Sequence, residues 1–246
     1  IPHQYQDKTV YLHVFKVLSV EGMASGLEGQ EIRWIAQSQL SSYDFPEANQ
    51  AIIRALQLPD KYLITGKFQD EKDFLEKLKH ALDNGIRLVQ FRLKAGDLEP
   101  ERAMLLAEQV CSLCLSSGAR LLLNISECYF PALNLSAIKF DGIHADSKTL
   151  KELSHRPDGT LFSASCHNRQ ELQKAMRLNA DFVVLSPVQK TASHPEMEAL
   201  GWQLFSDLTA SCCVPVYALG GVSATDLDKA WSNGAQGIAA ISAFWK

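Results

Sequence analysis

Residues 61–91 read KYLITGKFQDEKDFLEKLKHALDNGIRLVQF, which is an apolar run, an amphipathic stretch and a second apolar run. The middle stretch ends at Gly85, a C-cap suited to the left-handed region. Its apolar residues recur at helical spacing, at Phe74, Leu75, Leu78, Ala81 and Leu82. A strand, a helix and a second strand in this order form the βαβ unit of a parallel sheet. The stretch therefore predicts an α/β fold.

Short apolar or β-branched runs of the same kind continue to the end of the chain, with further amphipathic stretches at 100–117, 169–178 and 224–233. We predict eight strands, at Tyr62–Thr65, Ile86–Phe91, Arg120–Asn124, Phe140–His144, Leu161–Ser165, Phe182–Ser186, Val214–Leu219 and Gly237–Ile241. An open doubly wound sheet usually has a glycine-rich fingerprint in its first βα turn, but Thr65-Gly66-Lys67 has none. The pattern favours a closed (β/α)8 barrel.

The composition excludes some classes of protein. The chain has 246 residues, 46% of them apolar, and a formal net charge of −4. Binding to a nucleic-acid polymer needs clustered Lys and Arg, and no basic face is visible. No apolar run approaches the roughly 18 residues of a membrane span, and the start IPHQYQDKTV lacks a signal-peptide layout. We expect a cytoplasmic protein without a membrane or nucleic-acid partner.

Polar residues at the carboxyl ends of the strands are the candidates for chemistry, because barrel active sites lie there. Alternation in the second predicted strand points Gln90, Arg92 and Lys94 to one side, where two cations favour an anionic ligand. The alternative is a surface strand end with solvated charges. After the seventh strand, Gly220-Gly221 offers backbone N–H groups to a phosphate, or alternatively only makes a tight turn.

These residues also carry a family resemblance. QFRLK (90–94) is similar to the Q-x-R-x-K of the thiamine phosphate synthase/TenI family, and ALGG (218–221) is similar to its I-GG. The family's v-H-x-G, G-x-S-x-H and G-P-x-x-x-T-x-[ST]-K segments correspond to GIHADS (142–147), SASCH (163–167) and SPVQKTAS (186–193). The resemblance covers all eight predicted strands and implies a TIM barrel.

The resemblance implies small phosphorylated ligands. Gln90, Arg92 and Lys94 would hold the pyrophosphate of hydroxymethylpyrimidine diphosphate. Thr191 and Ser193 would lie in the loop that closes over it. The phosphate of the thiazole substrate would be held by Gly220, Gly221, Ile241 and Ser242, and other substrate-facing positions would be Asn124, His144 and Ser165.

Two departures from the family pattern concern magnesium, which neutralises the leaving pyrophosphate in the synthases. The family's aspartates fall here on Ile125 and Thr149, and Mg²⁺ prefers carboxylate oxygens. A magnesium-dependent synthase reaction is therefore in doubt. His167 favours a second interpretation, since TenI-type proteins use a histidine at this position to isomerise thiazole phosphate by proton transfer. Two further alternatives are a degenerate, ligand-sensing barrel and simple hydrogen-bonded roles for His144 and His167.

Residues 1–58 form a different segment, and we place the domain boundary between 58 and 59. Alternation over Thr9–Val20 predicts a strand, Ile32–Ile35 predicts another, and Pro46–Leu56 predicts a helix. The linker Gln57–Asp60 is so short that we expect the two parts to pack together. The sequence thus predicts an α+β portion followed by a barrel.

This front segment resembles the C-terminal part of a MutT-type Nudix hydrolase, through Glu21-Gly22, Gly26–Gln30, Trp34 and Phe45–Asn49. The resemblance implies that Asn49 reads the edge of an oxidised guanine and that Glu28 is an auxiliary Mg²⁺ ligand. No part of the Nudix box, with its catalytic glutamates, occurs in residues 1–246. We therefore expect the C-terminal part of a Nudix hydrolase fused to the barrel, with a nucleoside triphosphate and Mg²⁺ as partners of the full-length protein.

Overall fold

A computed structural model describes residues 2–4, 7, 9–12, 14, 17, 19–127, 138–158, 160–191 and 197–246. Eight parallel strands close into a barrel in the order β10-β3-β4-β5-β6-β7-β8-β9. These strands are β3 (Lys61–Ile64), β4 (Leu88–Leu93), β5 (Arg120–Ile125), β6 (Gly142–Ala145), β7 (Leu161–Cys166), β8 (Phe182–Leu185), β9 (Val216–Ala218) and β10 (Gly237–Ala240).

Within the described residues, helices on the outside of the barrel follow six of its strands. They are α2 (Glu71–Asp83), α3 (Pro100–Ser116), α4 (Ser147–Glu152), α5 (Arg169–Arg177), α6 (Gly201–Thr209) and α7 (Leu227–Ser232), with a 3₁₀ turn at Ala224–Asp226 before α7. Side-chain caps fix the starts of three of them, since Asp70, Asp146 and Asn168 each accept a hydrogen bond from the backbone N–H three residues on. The predicted alternation of strands and helices is confirmed.

All eight predicted strands are present, with ends that differ by a few residues. The largest useful difference is in β4, which runs two residues further than predicted, to Leu93. Arg92 therefore lies inside the hydrogen-bonded strand, paired in register with Asn124 of β5. This pairing fixes the backbone direction of Arg92 at the carboxyl end of the barrel.

Alternation along the strands separates two kinds of core. One face of each strand packs against the helices, as Phe74 of α2 does against Phe91 of β4. The other face fills the interior of the barrel with a smaller cluster that contains Tyr62, Phe182 and Tyr217. The centroids of the three rings lie 5.4 to 5.6 Å apart, so the rings pack against one another inside the barrel.

Helix α1 (Gln50–Gln57) packs against the amino end of the barrel. Gln236, just before β10, donates hydrogen bonds of 3.0 Å to the carbonyl oxygens of Ala55 and Leu58. Arg54 lies 3.9 Å from Asp181, which precedes β8. Leu58 belongs to the interior cluster. The expectation that the front segment packs on the barrel is confirmed for this helix.

The strands predicted for the front segment are mostly wrong. Ile32–Ile35 is not a strand, and within Thr9–Val20 the described strand is only β2 (Thr9–Tyr11), which pairs antiparallel with β1 (Pro2–Gln4). A strand needs a neighbour for its backbone hydrogen bonds, and β1 is the partner that the described residues provide. Val17 and Trp34 are 69% and 82% exposed, so neither of these side chains packs against an apolar surface.

The predicted helix at Pro46–Leu56 is confirmed with a shifted start. A single 3₁₀ turn at Glu47–Asn49 precedes α1, which begins at Gln50. Within the described residues, no helix combines the length and the apolar character that crossing a bilayer requires.

Candidate functional site

The carboxyl ends of neighbouring strands bring most of the predicted barrel residues together. Arg92 of β4 and Asn124 of β5 are register partners, and His144 of β6 lies opposite Ser163 of β7. Ser165 follows on the same side of β7 as Ser163, and His167 comes directly after the strand ends. Parallel strands end at one edge, so these side chains surround a common mouth. We call this edge the barrel mouth.

A continuous chain of hydrogen bonds crosses the barrel below the mouth. Asn124 Nδ2 donates to Gln90 Oε1 at 2.9 Å, and Gln90 Nε2 donates to the Tyr62 hydroxyl at 3.1 Å. Tyr62 in turn lies 3.3 Å from His144 Nδ1, and His144 Nε2 lies 2.8 Å from Ser165 Oγ. We call these five residues the interior chain.

The middle residues of the interior chain are buried, whereas the residues at its two ends are partly accessible to a ligand. Gln90 and His144 are each 2% exposed and Tyr62 is fully buried, whereas Asn124 and Ser165 are partly exposed. Both ends of the Gln90 amide are occupied, so Gln90 supports the mouth from below. Its predicted contact with a diphosphate stays a prediction.

His144 has the internally hydrogen-bonded role that was its alternative interpretation. Besides Tyr62 and Ser165, Ser163 Oγ lies 3.0 Å from Nδ1. Burial lowers the pKa of His144 to about 3, and the positive charge of Arg92 acts in the same direction. The imidazole is therefore neutral at ordinary pH.

Tyr62 is the residue that sequence reasoning missed. It lies in the predicted first strand, but its ring reads as an ordinary core residue. The available signal was alternation, because Tyr62 and Ile64 point to the barrel interior where Gln90 and His144 point as well. A buried tyrosine hydroxyl needs a partner, so an inward Tyr between inward polar residues predicts a hydrogen-bonded cluster.

Arg92 supplies a cation to the mouth. Its backbone N–H donates to Thr65 Oγ1 at 2.9 Å, which ties the end of β4 to β3. Burial lowers the pKa of the guanidinium, while the charges of Asp97 and Asp146 raise it. Within the described part of the chain, its guanidinium makes no ion pair. A partly desolvated cation of this kind favours an anionic ligand. Lys94 lies two residues further along the chain, just after β4 ends, and is exposed.

His167 is held by two contacts at the edge of the mouth. Its backbone N–H donates to Glu171 Oε2 at 2.8 Å. Its Nδ1 lies 2.8 Å from the carbonyl oxygen of Ser186 and 3.2 Å from the Ser186 hydroxyl. A carbonyl oxygen only accepts, so Nδ1 carries the proton and Nε2 is the basic nitrogen. No described residue bonds to Nε2, which leaves it available to a ligand.

The glycines after β9 permit a close approach between two loops. Gly220 has φ +96° and Gly221 has φ +67°, in the region that favours glycine. A Cβ at Gly221 would lie 2.6 Å from the Lys190 carbonyl oxygen, and one at Gly220 would lie 2.8 Å from Pro187 Cα. The backbone therefore requires glycine at both positions, as the tight-turn interpretation predicts, whether or not a ligand binds. The predicted contact with a phosphate stays a prediction.

Backbone N–H groups are also available in this region. Among the described residues, the amides of Gly221 and Ser242 have no hydrogen-bond acceptor, whereas the Gly220 carbonyl accepts from Gln189. Ile241 and Ser242 follow β10 directly, and the Ile241 carbonyl accepts from Phe244 and Trp245. The two loops thus present donors to the mouth, as an anion site requires.

The loop after β8 is described only in part. Thr191 is its last described residue before the gap, and its side chain is half-buried. Ser193 lies outside the described residues, so its predicted place in a closing loop stays a prediction.

The residues at the family's magnesium positions do not fit a magnesium ion. Ile125 packs against the core between the barrel and its helices. Thr149 lies in the first turn of α4, where its backbone N–H donates to Asp146. The Asp146 carboxylate accepts this hydrogen bond and caps the helix. Within the described residues, no group of three acidic, His or Cys side chains could hold a metal ion.

Glu28 and Asn49 are not brought to the mouth. Glu28 is exposed, and its backbone N–H donates to the Gln30 side chain at 2.9 Å. Asn49 precedes α1, at the opposite end of the barrel, and its side chain makes no capping hydrogen bond. Its predicted nucleotide contact stays a prediction.

A cavity of about 330 Å³ also lies at this opposite end, between α1, α6 and the residues that follow α7. Ala51, Ala55, Cys212 and Val214 are among its lining residues. It is far from the cation, the histidines and the open amides of the mouth. We therefore take the mouth as the candidate site.

A closed (β/α)8 barrel with a cation, open loop amides and an oriented histidine at its carboxyl end belongs to the class of barrels that act on phosphorylated ligands. Residues 61–244 match the TMP-TENI family model, described as thiamine monophosphate synthase. The chain belongs to this family, and its barrel is thiamine-phosphate-synthase-like.

Curated relatives agree with this assignment. The chain is 35% identical over 196 residues to the putative thiamine-phosphate synthase 2 of Aquifex aeolicus, across 77% of this chain and 99% of that one. It is 30% identical over 188 residues to the thiamine-phosphate synthase of Geobacillus kaustophilus, across 74% and 82% of the two chains.

A solved structure supports the fold. The thiamine phosphate pyrophosphorylase of Pyrococcus furiosus superposes with a TM-score of 0.58 at 21% identity, covering 79% of this chain and 87% of that one. This similarity shows the barrel architecture. The family match begins at Lys61, so the front segment lies outside it.

Proposed function

We propose that the barrel binds a phosphorylated thiazole in its mouth and moves a proton on that ligand through His167, as a TenI-like tautomerase. The observation behind the proposal is the contact of 2.8 Å between His167 Nδ1 and the Ser186 carbonyl oxygen. It fixes the neutral tautomer whose free Nε2 is a base. Histidine suits this role because its protonation changes near neutral pH.

The reaction needs no net change in atoms or electrons. Nε2 takes a proton from one atom of the thiazole, and the C–H or N–H electron pair stays on the ligand. The imidazolium then returns the proton to another atom, which completes the isomerisation. The Ser186 carbonyl accepts from Nδ1 throughout and stabilises the imidazolium.

The phosphate end of the ligand would be held on the opposite loops. Gly221 and Ser242 offer backbone N–H groups without side-chain crowding. Arg92 supplies a positive charge that has no described ion-pair partner. The ligand's charge and its reacting ring would thus be held by different elements of the barrel.

A second candidate is condensation of the thiazole with hydroxymethylpyrimidine diphosphate, which the relatives' names favour. Arg92 and Lys94 would then face a leaving pyrophosphate. Ile125 and Thr149 do not fit the magnesium ion that neutralises this group, so we place this reaction second. A third possibility is a barrel that only binds the thiazole.

One set of assays distinguishes the three. The chain is incubated with the thiazole phosphate isomer, and isomerisation is followed by NMR with and without EDTA. In parallel, pyrimidine diphosphate and Mg²⁺ are added, and thiamine phosphate is measured. We expect isomerisation that EDTA does not change. Thiamine phosphate formation alone would support the second candidate, and binding without turnover the third.

For the front segment, we propose a Nudix-like portion that contacts a nucleotide through Asn49 and binds Mg²⁺ through Glu28. The ordered motif match supports this proposal. The catalytic glutamates of the Nudix box are absent from these 246 residues. We therefore expect no magnesium-dependent hydrolysis of 8-oxo-dGTP by residues 1–246, and measurable turnover would overturn that expectation.

A further inference from the structure

We propose that Tyr62 is a positioning residue that fixes the direction of the interior chain, so that Ser165 presents a hydroxyl hydrogen and Asn124 a carbonyl oxygen to the ligand. Neither Tyr62 nor this directionality belongs to the proposed proton transfer at His167. The part that concerns the ligand rests on the proposed function, whereas the direction of the chain does not.

The first step is the orientation of the Gln90 amide. Its Oε1 accepts from Asn124 Nδ2 at 2.9 Å, and its Nε2 donates to the Tyr62 oxygen at 3.1 Å. An amide nitrogen cannot accept a hydrogen bond. The hydroxyl hydrogen of Tyr62 must therefore find its acceptor elsewhere.

The acceptor within reach is His144. Tyr62 is fully buried, and burial raises the pKa of its hydroxyl well above the ordinary value, so the hydrogen is retained. Among the described residues, His144 Nδ1 is the remaining polar atom bonded to that hydroxyl, at 3.3 Å. A buried hydroxyl hydrogen without an acceptor lowers the stability of the fold. The Tyr62 O–H therefore points to Nδ1.

Ser163 strengthens this assignment. Its hydroxyl lies 3.0 Å from the same Nδ1, and the residue is fully buried. An Nδ1–H group could donate to one of the two hydroxyls but would accept from neither. An unprotonated Nδ1 offers its lone pair to these two hydroxyl donors, so the contacts favour the Nε2–H tautomer of His144.

The direction then reaches the mouth. His144 Nε2–H donates to Ser165 Oγ at 2.8 Å, which leaves the Ser165 hydrogen to point toward the ligand. At the other end, the Asn124 amide nitrogen is engaged by Gln90, while Oδ1 has no partner among the described residues. The mouth therefore selects a heterocycle with an acceptor toward β7 and a donor toward β5.

The direction can be tested without any ligand. Protein labelled with ¹⁵N-histidine is studied by long-range ¹H–¹⁵N NMR, which separates protonated from unprotonated ring nitrogens, and His144→Gln assigns the signals. We expect His144 as the Nε2–H tautomer. An Nδ1–H tautomer in the unmodified protein would reverse the chain and overturn the proposal. This outcome does not depend on any activity.

The ligand part is tested by the affinity for hydroxyethylthiazole phosphate. Tyr62→Phe should weaken binding roughly three- to tenfold, the value of about one hydrogen bond. The matched control is Tyr217→Phe, another buried interior tyrosine, whose hydroxyl donates to the Pro59 carbonyl away from the chain. We expect the affinity of this control to stay within twofold.

Coupling separates positioning from general packing. In a Ser165→Ala background, Tyr62→Phe should have a smaller effect than in the unmodified protein, because the part of its influence that passes through Ser165 is lost. Equal losses in both backgrounds, or an equal loss in Tyr217→Phe, would overturn the positioning role. No binding by any variant would overturn the proposed function and the ligand part, while the tautomer would still decide the direction. If Tyr62→Phe does not fold, the tautomer of His144 in the unmodified protein still decides the direction of the interior chain.

Discussion

His167 Nδ1 lies 2.8 Å from the carbonyl oxygen of Ser186, so one nitrogen of this imidazole is hydrogen-bonded to the backbone just after the next strand. The two residues directly follow the adjacent parallel strands β7 and β8, and Ser186 N also donates to the Cys166 carbonyl. The contact therefore follows from the barrel register. It leaves Nε2 as the reactive nitrogen whatever the ligand is.

Replacement of His167 should abolish proton transfer while the ligand still binds. For His167→Ala we expect kcat for thiazole isomerisation to fall roughly 10²- to 10⁴-fold, the usual value of a general base, with KM within a fewfold. Initial rates by NMR give both constants.

His155 offers the control for this change. It is an exposed histidine that contacts Ser154 on the surface. His155→Ala should have wild-type rates. A KM that rises with unchanged kcat in His167→Ala would mean that the residue only binds the ligand.

Gly221 should tolerate no side chain. Gly221→Ala places a methyl group 2.6 Å from the Lys190 carbonyl oxygen at a positive φ, so we expect lower stability and a loss of phosphate affinity. Gly118→Ala is the control, since Gly118 has φ +63° with nothing within 4 Å of the added Cβ.

The comparison isolates the close approach of the two loops. Gly118→Ala should cost about 1 kcal/mol from backbone strain, and Gly221→Ala should cost more. Urea denaturation and calorimetry with inorganic phosphate measure the two effects. Equal losses of stability with unchanged phosphate binding in both variants would remove the loop from the site.

The barrel could be predicted because each of its elements is specified locally. The run KYLI predicts β3, and the helical spacing of Phe74 and Leu78 predicts α2 without knowledge of their neighbours. The front segment could not be predicted in this way. Ile32–Ile35 alternates like a strand, but strand formation depends on a partner that the pattern of a single segment does not reveal.

The candidate site was predictable at its rim and not in its interior. Arg92 and Gly221 stand at strand ends, where position alone indicates a role. The contact between Tyr62 and His144 joins residues 82 positions apart, so it depends on strand register. The sequence also assigned Gln90 to a ligand, whereas its amide is held between Asn124 and Tyr62.

Magnesium should have no effect on the unmodified barrel. We expect no magnesium-dependent thiamine phosphate formation, because Ile125 and Thr149 provide no carboxylate for the ion. Ile125→Asp together with Thr149→Asp adds two carboxylates. This double variant should form more thiamine phosphate if the missing metal ligands are the only defect of the barrel. Ile125→Asn with Thr149→Asn is the uncharged control. Synthesis at near-normal rates by the unmodified barrel would contradict the prediction.

His144 should make the fold less stable as the pH falls. Its pKa is about 3 in the folded protein against 6.5 ordinarily, so between these values the unfolded chain binds a proton that the native state does not. The contribution is complete above pH 6.5 and is lost as the pH falls toward about 3. The slope from this one group is at most about 1.4 kcal/mol per pH unit.

The effect of His144 is separated from that of the carboxylates in the upper part of this pH range. The carboxylates with lowered pKa, such as Glu71 and Asp146, have ordinary pKa values of 4.5 and 3.8, so they contribute to the pH dependence mainly at lower pH. Urea denaturation at several pH values from about 7 down to about 5 gives the slope. His144→Gln keeps polar groups near Tyr62 and Ser165 but cannot bind a proton, so its slope should be shallower. Identical slopes in the two proteins would mean that His144 is protonated in the native state. The assignment of a neutral His144 imidazole between Tyr62 and Ser165 would then be wrong.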